Sequence, residues 1–235
     1  SVERELQAVN SEHTKNVNSD LWRLDQLIKS ESLEKSSYNY FSTGSIETLQ
    51  KPGVRDELLK FFNKYYSSNN MGLVIVSKRS IDELKNLIYP LFEQVKQLPD
   101  YKRPIYDDAP YDSTNLKTFY KVVPINNKDS IIFNWYSKSY NKFYKAYPEY
   151  FISNILGHEG PNTLTAALKR DNLITDLSAG SETEADLFTR FEIKIKLTKL
   201  GMEKWKEVIL RVLKYVKILQ GMNEMNQRFC DECHK

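Results

Sequence analysis

Two glutamates are the first residues here whose type and spacing could do chemistry. Glu5 and Glu12 lie seven apart in the run Glu5-Leu6-Gln7-Ala8-Val9-Asn10-Ser11-Glu12-His13. Seven residues are two turns of an α-helix, so the two carboxylates point nearly the same way, with only Ala8 between them on that side. Such a pair can ligate a metal ion and orient another ligand. It is equally an ordinary solvated helix surface, because glutamate is common there. Trp22 comes ten residues after Glu12, turned about 80° from it on a continuous helix. An aromatic so placed either packs on a neighbour or lines a pocket.

Two further clusters carry chemically suggestive residues. Gly157-His158-Glu159-Gly160-Pro161 falls between two predicted helices. Gly and Pro punctuate a turn there, and His158 can cap or pack. Near the end, Cys230-Asp231-Glu232-Cys233-His234 has the spacing of a haem or redox motif. It closes a helical stretch and no export signal accompanies it, so the cysteines read as structural or incidental.

The elements that must position these residues follow from periodicity. Residues 3–29 read as one long helix, with Leu6, Val9, Val17, Leu21, Leu24 and Ile28 on one side. Residues 30–54 are irregular. A helix is expected at 55–66, a short apolar strand at 71–76, and a helix from Ser80 to about Gln97, opened by Ser80 and Glu83 as a capping box. Residues 98–110, with Pro99, Pro104 and Pro110, form the best linker. Beyond it, strands are expected at 116–123 and 129–136, helices at 147–157 and 161–171, and strands at 173–179 and 186–197. In the last of these Phe191, Ile193, Ile195 and Leu197 alternate inward. Helices at 199–219 and 222–235 close the chain. The fold class is α+β: two related units, each an antiparallel-rich sheet with helices packed on one side. Residues 1–97 form one unit and 111–235 the other.

Composition removes several classes of function. The chain has 235 residues, 40% apolar and 28% charged, with 15 Tyr and 11 Phe to fill a core. A net charge of +3 is too small to argue for nucleic acid. No apolar run approaches the roughly 20 residues that span a bilayer. Two cysteines are not a disulfide framework, and no targeting signal is visible, so a reducing, cytoplasmic setting is expected. Both ends fall inside helical patterns, and the expectation is a segment of a longer polypeptide.

The words around the glutamates are more specific than their spacing. Glu5-x-x-Ala8-Val9-x-Ser11-Glu12-His13-x-Lys15-Asn16, followed by Asp20-x-Trp22-Arg23-Leu24, resembles the pitrilysin family of zinc metallopeptidases and its insulinase branch. The likeness continues in Phe41-Ser42-Thr43-Gly44, in Tyr65-Tyr66-Ser67-Ser68-Asn69, in Tyr120-Lys121-Val122-Val123-Pro124-Ile125 and in Ile155-Leu156-Gly157-His158-Glu159-Gly160-Pro161. These words keep the family's order across nearly the whole chain. The resemblance implies a processing-peptidase-like α+β fold, with 1–97 as the end of a catalytic domain and 111–235 as most of a second, non-catalytic one.

In that family two His of an H-x-x-E-H helix and a later Glu hold zinc, and the Glu of the motif activates zinc-bound water. By resemblance Glu12 matches the third ligand. Glu5 matches the helper carboxylate, which orients a histidine ligand by hydrogen bonding. The motif itself is absent: His13, His158 and His234 are the only histidines, and no two are four apart. One carboxylate cannot hold catalytic zinc, so the fragment is expected to bind none and to be inactive by itself. By the same resemblance Trp22 lines the pocket beside the scissile bond, although Asp25 stands where the family has Phe. Asn154, Gly157, Glu159, Leu177, Ala179 and Ser181 match an exosite that captures a peptide's N-terminus by main-chain pairing at a sheet edge. The family often has His, Gly and Gln where this chain has Asn154, Ala179 and Ser181. The implied partners are peptide substrates and the missing domains of the same polypeptide, not nucleic acid or membrane. The rival reading is a relative that keeps the fold, lacks the metal site and acts as a structural or partner-binding subunit. The retained Glu5 and Glu12 speak against it.

Overall fold

A computed structural model describes residues 2–102, 109–126, 129–184 and 186–222. The predicted helix over 222–235, with Cys230, Cys233 and His234, lies outside the described residues except at its first position. The chain divides into two compact units. One joins Ser1–Asn18 to Phe41–Tyr106, and the other joins Ser19–Tyr40 to Asp107–Lys235.

In the first unit, helix α1 spans Val2–Val17. The long helix expected over 3–29 is broken at Asn18 and Ser19, where the backbone turns extended before α2 begins at Asp20. The cause is a run of small polar residues. Ser11, Thr14 and Asn18 each donate to a backbone carbonyl four residues back, and such side chains compete with the helix ladder. Helix α1 is held against α3 (Ile46–Leu49) by Asn10, whose Oδ1 accepts from the Ile46 amide at 3.0 Å. Gly53, at φ 81°, supplies the left-handed conformation that starts α4 (Val54–Tyr65). The Ser80–Glu83 capping box opens α5 (Ile81–Phe92) as expected. This helix stops short of Gln97. Pro90 cannot donate to the Asn86 carbonyl and its ring crowds it, and α5 ends two residues later.

Residues 71–76 join no ladder among the described residues. A strand is stable only when a neighbour takes up its N–H and C=O groups. Without one, Val74 and Val76 are 88% and 96% exposed.

The second unit contains the sheet. Strands β1 (Ser130–Lys138), β2 (Ile174–Glu184) and β3 (Phe188–Leu197) are antiparallel in the order β1-β3-β2. The hairpin register sets Ala179 opposite Ile193 and Ser181 opposite Phe191. Helices α6 (Pro148–Gly157), α7 (Leu164–Arg170), α8 (Lys199–Glu203) and α9 (Trp205–Gln220) complete the unit. The core forms where Ile193 and Ile195 meet Leu177, Leu156, Leu168, Val208 and Val212. Full burial of each is worth about 1.5–3 kcal/mol. Phe191 and Leu197 flank this core, as the inward alternation predicts. Gly201 touches it too: a Cβ there would stand 1.8 Å from the Leu173 carbonyl oxygen, so only glycine fits. Tyr38 packs edge-on against Phe188, and Tyr111 stacks on Tyr136 at 4.0 Å.

The strand expected at 116–123 does not enter this sheet. The segment instead lies along α2 (Asp20–Ser30), whose side chains take its polar groups. Asp20 Oδ1 accepts from the Ile125 amide at 2.7 Å, and the Val123 carbonyl accepts from Arg23. The Tyr120 hydroxyl donates to Glu31 at 2.6 Å. The α+β class holds, with a small antiparallel sheet beside helices.

Candidate functional site

An open groove of about 570 Å³ lies between α6, the turn that follows it, and β2. Tyr150, Ser153 and Asn154 line it from α6, Gly157, His158 and Glu159 from the end of that helix, and Leu177, Ser178 and Ala179 from the strand. Local sequence explains this placement. Pro148 begins α6 with its φ already helical. Spacings of three and four residues then bring 150, 153, 154 and 157 to one side of the helix. β2 is an outer strand, so one of its edges has no strand partner among the described residues. An edge of this kind presents main-chain donors and acceptors.

The turn at 158–163 is braced from within. The Thr163 hydroxyl donates to the Gly160 carbonyl at 2.8 Å and accepts from the Ala166 amide, capping α7. The Gly160 amide donates to His158 Nδ1 at 3.4 Å, which assigns the proton of a neutral ring to Nε2. A Cβ on Gly157 would lie 3.8 Å from the Ala179 amide nitrogen, so the end of α6 approaches the strand closely. Leu177 is buried in the core and also lines the groove. Glu159 Oε1 lies 2.8 Å from Lys169 Nζ. Asp176, near the start of β2, is held below the usual carboxylate range, first by its bond to Lys196 at 2.8 Å.

Five of the six positions singled out on the second unit thus converge: Asn154, Gly157, Glu159, Leu177 and Ala179. Ser181 lies farther along β2 and does not line the groove. Tyr150 and Ser153 line it without having been singled out, and His158 and Ser178 fall inside the stretches 157–161 and 177–181 that carry the singled-out positions. Helical spacing from Asn154 and Gly157 would have found the first two.

The other candidates are not gathered in this way. Glu5 and Glu12 are both on α1 and exposed, and Glu5 lies 3.9 Å from Arg4. His13 is engaged by Phe41, edge-on at 5.1 Å, and by Thr43. Trp22 is half-buried on α2, in the other unit, so the single helix expected to carry both it and Glu12 is not present. Asp25 pairs with Lys29 at 3.5 Å. Among the described residues no three of His, Cys, Asp or Glu approach closely enough to hold a metal ion. The described residues therefore do not by themselves fit a zinc centre. No helix is long and apolar enough to cross a membrane among the described residues.

An antiparallel sheet, helices beside it and an open-edged groove, together with the pitrilysin-like words, define the class as a peptidase-type α+β domain. The chain belongs to the peptidase M16 family, and residues 54–225 match that family's "Peptidase M16 inactive domain". It is 35% identical over 225 residues to insulin-degrading enzyme of Bos taurus, an alignment covering 93% of this chain and 22% of that protein. The A-factor-processing enzyme of Saccharomyces cerevisiae is 34% identical over 231 residues, covering 94% of this chain and 22% of the relative. Among solved structures, pitrilysin superposes with a TM-score of 0.88 at 25% identity, over 98% of this chain and 25% of the other. The chain thus spans about a quarter or less of the length of these proteins.

Proposed function

We propose that this chain is part of a zinc metalloendopeptidase, and that its own contribution is to hold the N-terminal end of a peptide substrate in the α6–β2 groove. The observation that carries this reading is the convergence of Asn154, Gly157, Glu159, Leu177 and Ala179 on one groove along an open strand edge. An extended peptide can add there as a strand, its main chain pairing with β2. Its α-ammonium group would lie near Glu159, where a charge-assisted contact favours a free N-terminus. Ala179 in place of glycine leaves such pairing intact, because its φ is not positive.

In the same proposal Glu12 is one zinc ligand of the parent polypeptide and Glu5 orients a histidine ligand. The histidines and the catalytic base are supplied by parent residues outside this sequence. Trp22 lines the pocket near the scissile bond. The division into 1–97 and 111–235 about the linker 98–110, peptide substrates and further domains as partners, and a cytoplasmic setting belong to this reading as well. The stretch 54–225 matches the family's inactive domain, so peptidase chemistry is assigned to the parent and peptide capture to this region.

The test is an NMR titration of the chain with one peptide in free and N-acetylated form. Shifts are expected to cluster at 154–159 and 177–179. Acetylation is expected to weaken binding by about 1–2 kcal/mol, the worth of a hydrogen bond to a charged group. Identical binding of the two forms, or shifts confined to residues around Trp22, would refute the groove assignment.

A further inference from the structure

Glu159 is not free at the rim of the groove. Its carboxylate is held by Lys169, which projects from α7 and whose side chain is only 35% exposed, against 62% for Glu159. Lys169 stands near a second acid as well. Its charge acts on Asp176, although the direct bond from Lys196 is the larger influence there. Glu159, Lys169, Asp176 and Lys196 therefore alternate in sign from the rim to the sheet, on four successive elements, with contacts of 2.8 Å at each end.

This arrangement bears on which cations the groove retains. An unpaired carboxylate at an open rim attracts any cation, including the side-chain amine of a lysine. With Lys169 in place the charge is already compensated. An incoming ammonium finds only the remaining lone pairs of Glu159 and is repelled by Lys169 at short range. A ligand must then bring a second source of binding, which main-chain pairing with β2 would supply. Exposed ion pairs are weak, so exchanging partners costs little.

Building on the groove reading above, we propose that Lys169 is a specificity-determining residue. It competes internally for Glu159, so that the groove retains extended peptides with a free α-amine and rejects isolated amines and internal lysines.

The test uses the intact chain and its Lys169→Met variant, which keeps the aliphatic stem and helix propensity. Three probes are titrated: a free-amine peptide, its N-acetylated form, and butylamine. In the variant the free-amine peptide is expected to bind about two- to fivefold tighter, the range an exposed ion pair is worth. The acetylated peptide is expected to be unchanged, and butylamine to begin shifting Glu159. Raising the salt concentration is expected to erase the gain. If the wild-type chain prefers the free amine and Lys169→Met leaves that preference unchanged or lowers it, the competitor role falls and the groove stands. If neither protein distinguishes the two peptides, the groove reading itself falls.

Discussion

Replacing Gly157 by alanine is expected to strengthen the fold and weaken the groove at once, a pairing that a purely structural residue would not show. Gly157 is the last residue of α6 and its φ is not positive. Glycine in a helix costs roughly 0.5–1 kcal/mol relative to alanine, through the backbone freedom it loses on folding. A Cβ at 157 meets nothing closer than the Ala179 amide nitrogen at 3.8 Å, an ordinary contact, so no steric penalty offsets that gain. For a chain of this size the gain corresponds to about 1–4 °C in Tm. The same methyl projects toward the strand edge where a ligand would pair. Displacing one main-chain hydrogen bond costs about 0.5–1.5 kcal/mol, or roughly two- to tenfold in Kd. Thermal unfolding and peptide titration of Gly157→Ala, with Gly157→Leu as the stronger block, measure the two effects separately. A lower Tm would show that glycine is required for the backbone. Undiminished peptide binding by Gly157→Leu would refute the placement of the ligand on this edge.

Three other outcomes follow from the same geometry. Gly201→Ala is expected to destabilise by about 1–3 kcal/mol in denaturant unfolding, the usual cost of overpacking, because its Cβ would overlap the Leu173 carbonyl. Glu184 has its pKa raised, first by burial and then by Glu182. A carboxyl raised in the folded state contributes stability below its unfolded pKa and loses it as pH rises through the folded value. Glu184→Gln is therefore expected to melt higher than wild type at pH 7, with the difference vanishing on acidification below the ordinary glutamate range. In the parent polypeptide Glu12→Gln is expected to abolish zinc retention and peptide cleavage. Glu5→Gln should keep the fold and lose roughly 10–100-fold in metal affinity. Metal analysis and a peptidase assay check both, and full activity of Glu12→Gln would refute its assignment as a ligand.

Much of the fold was legible in the sequence because its signals are local. The alternation through Ile193 and Ile195 specified β3, and the Ser80–Glu83 capping box specified where α5 begins. The words around Glu12 and Gly157 named the family before any geometry. Periodicity alone could not see what competes with it. The break after Val17 came from polar side chains bonding back to the helix, and the early end of α5 came from Pro90. The apolar runs at 71–76 and 116–123 have strand composition, yet a strand exists only where another takes up its hydrogen bonds. One of these runs finds no partner among the described residues, and the other is held by Asp20, Arg23 and Glu31 of a distant segment. The groove is tertiary in the same sense. Asn154, Gly157 and Ala179 are readable one at a time, but only the strand order β1-β3-β2 leaves the edge of β2 open beside α6. The pairing of Glu159 with Lys169 likewise depends on α7 folding back toward the turn, which no spacing in the chain reveals.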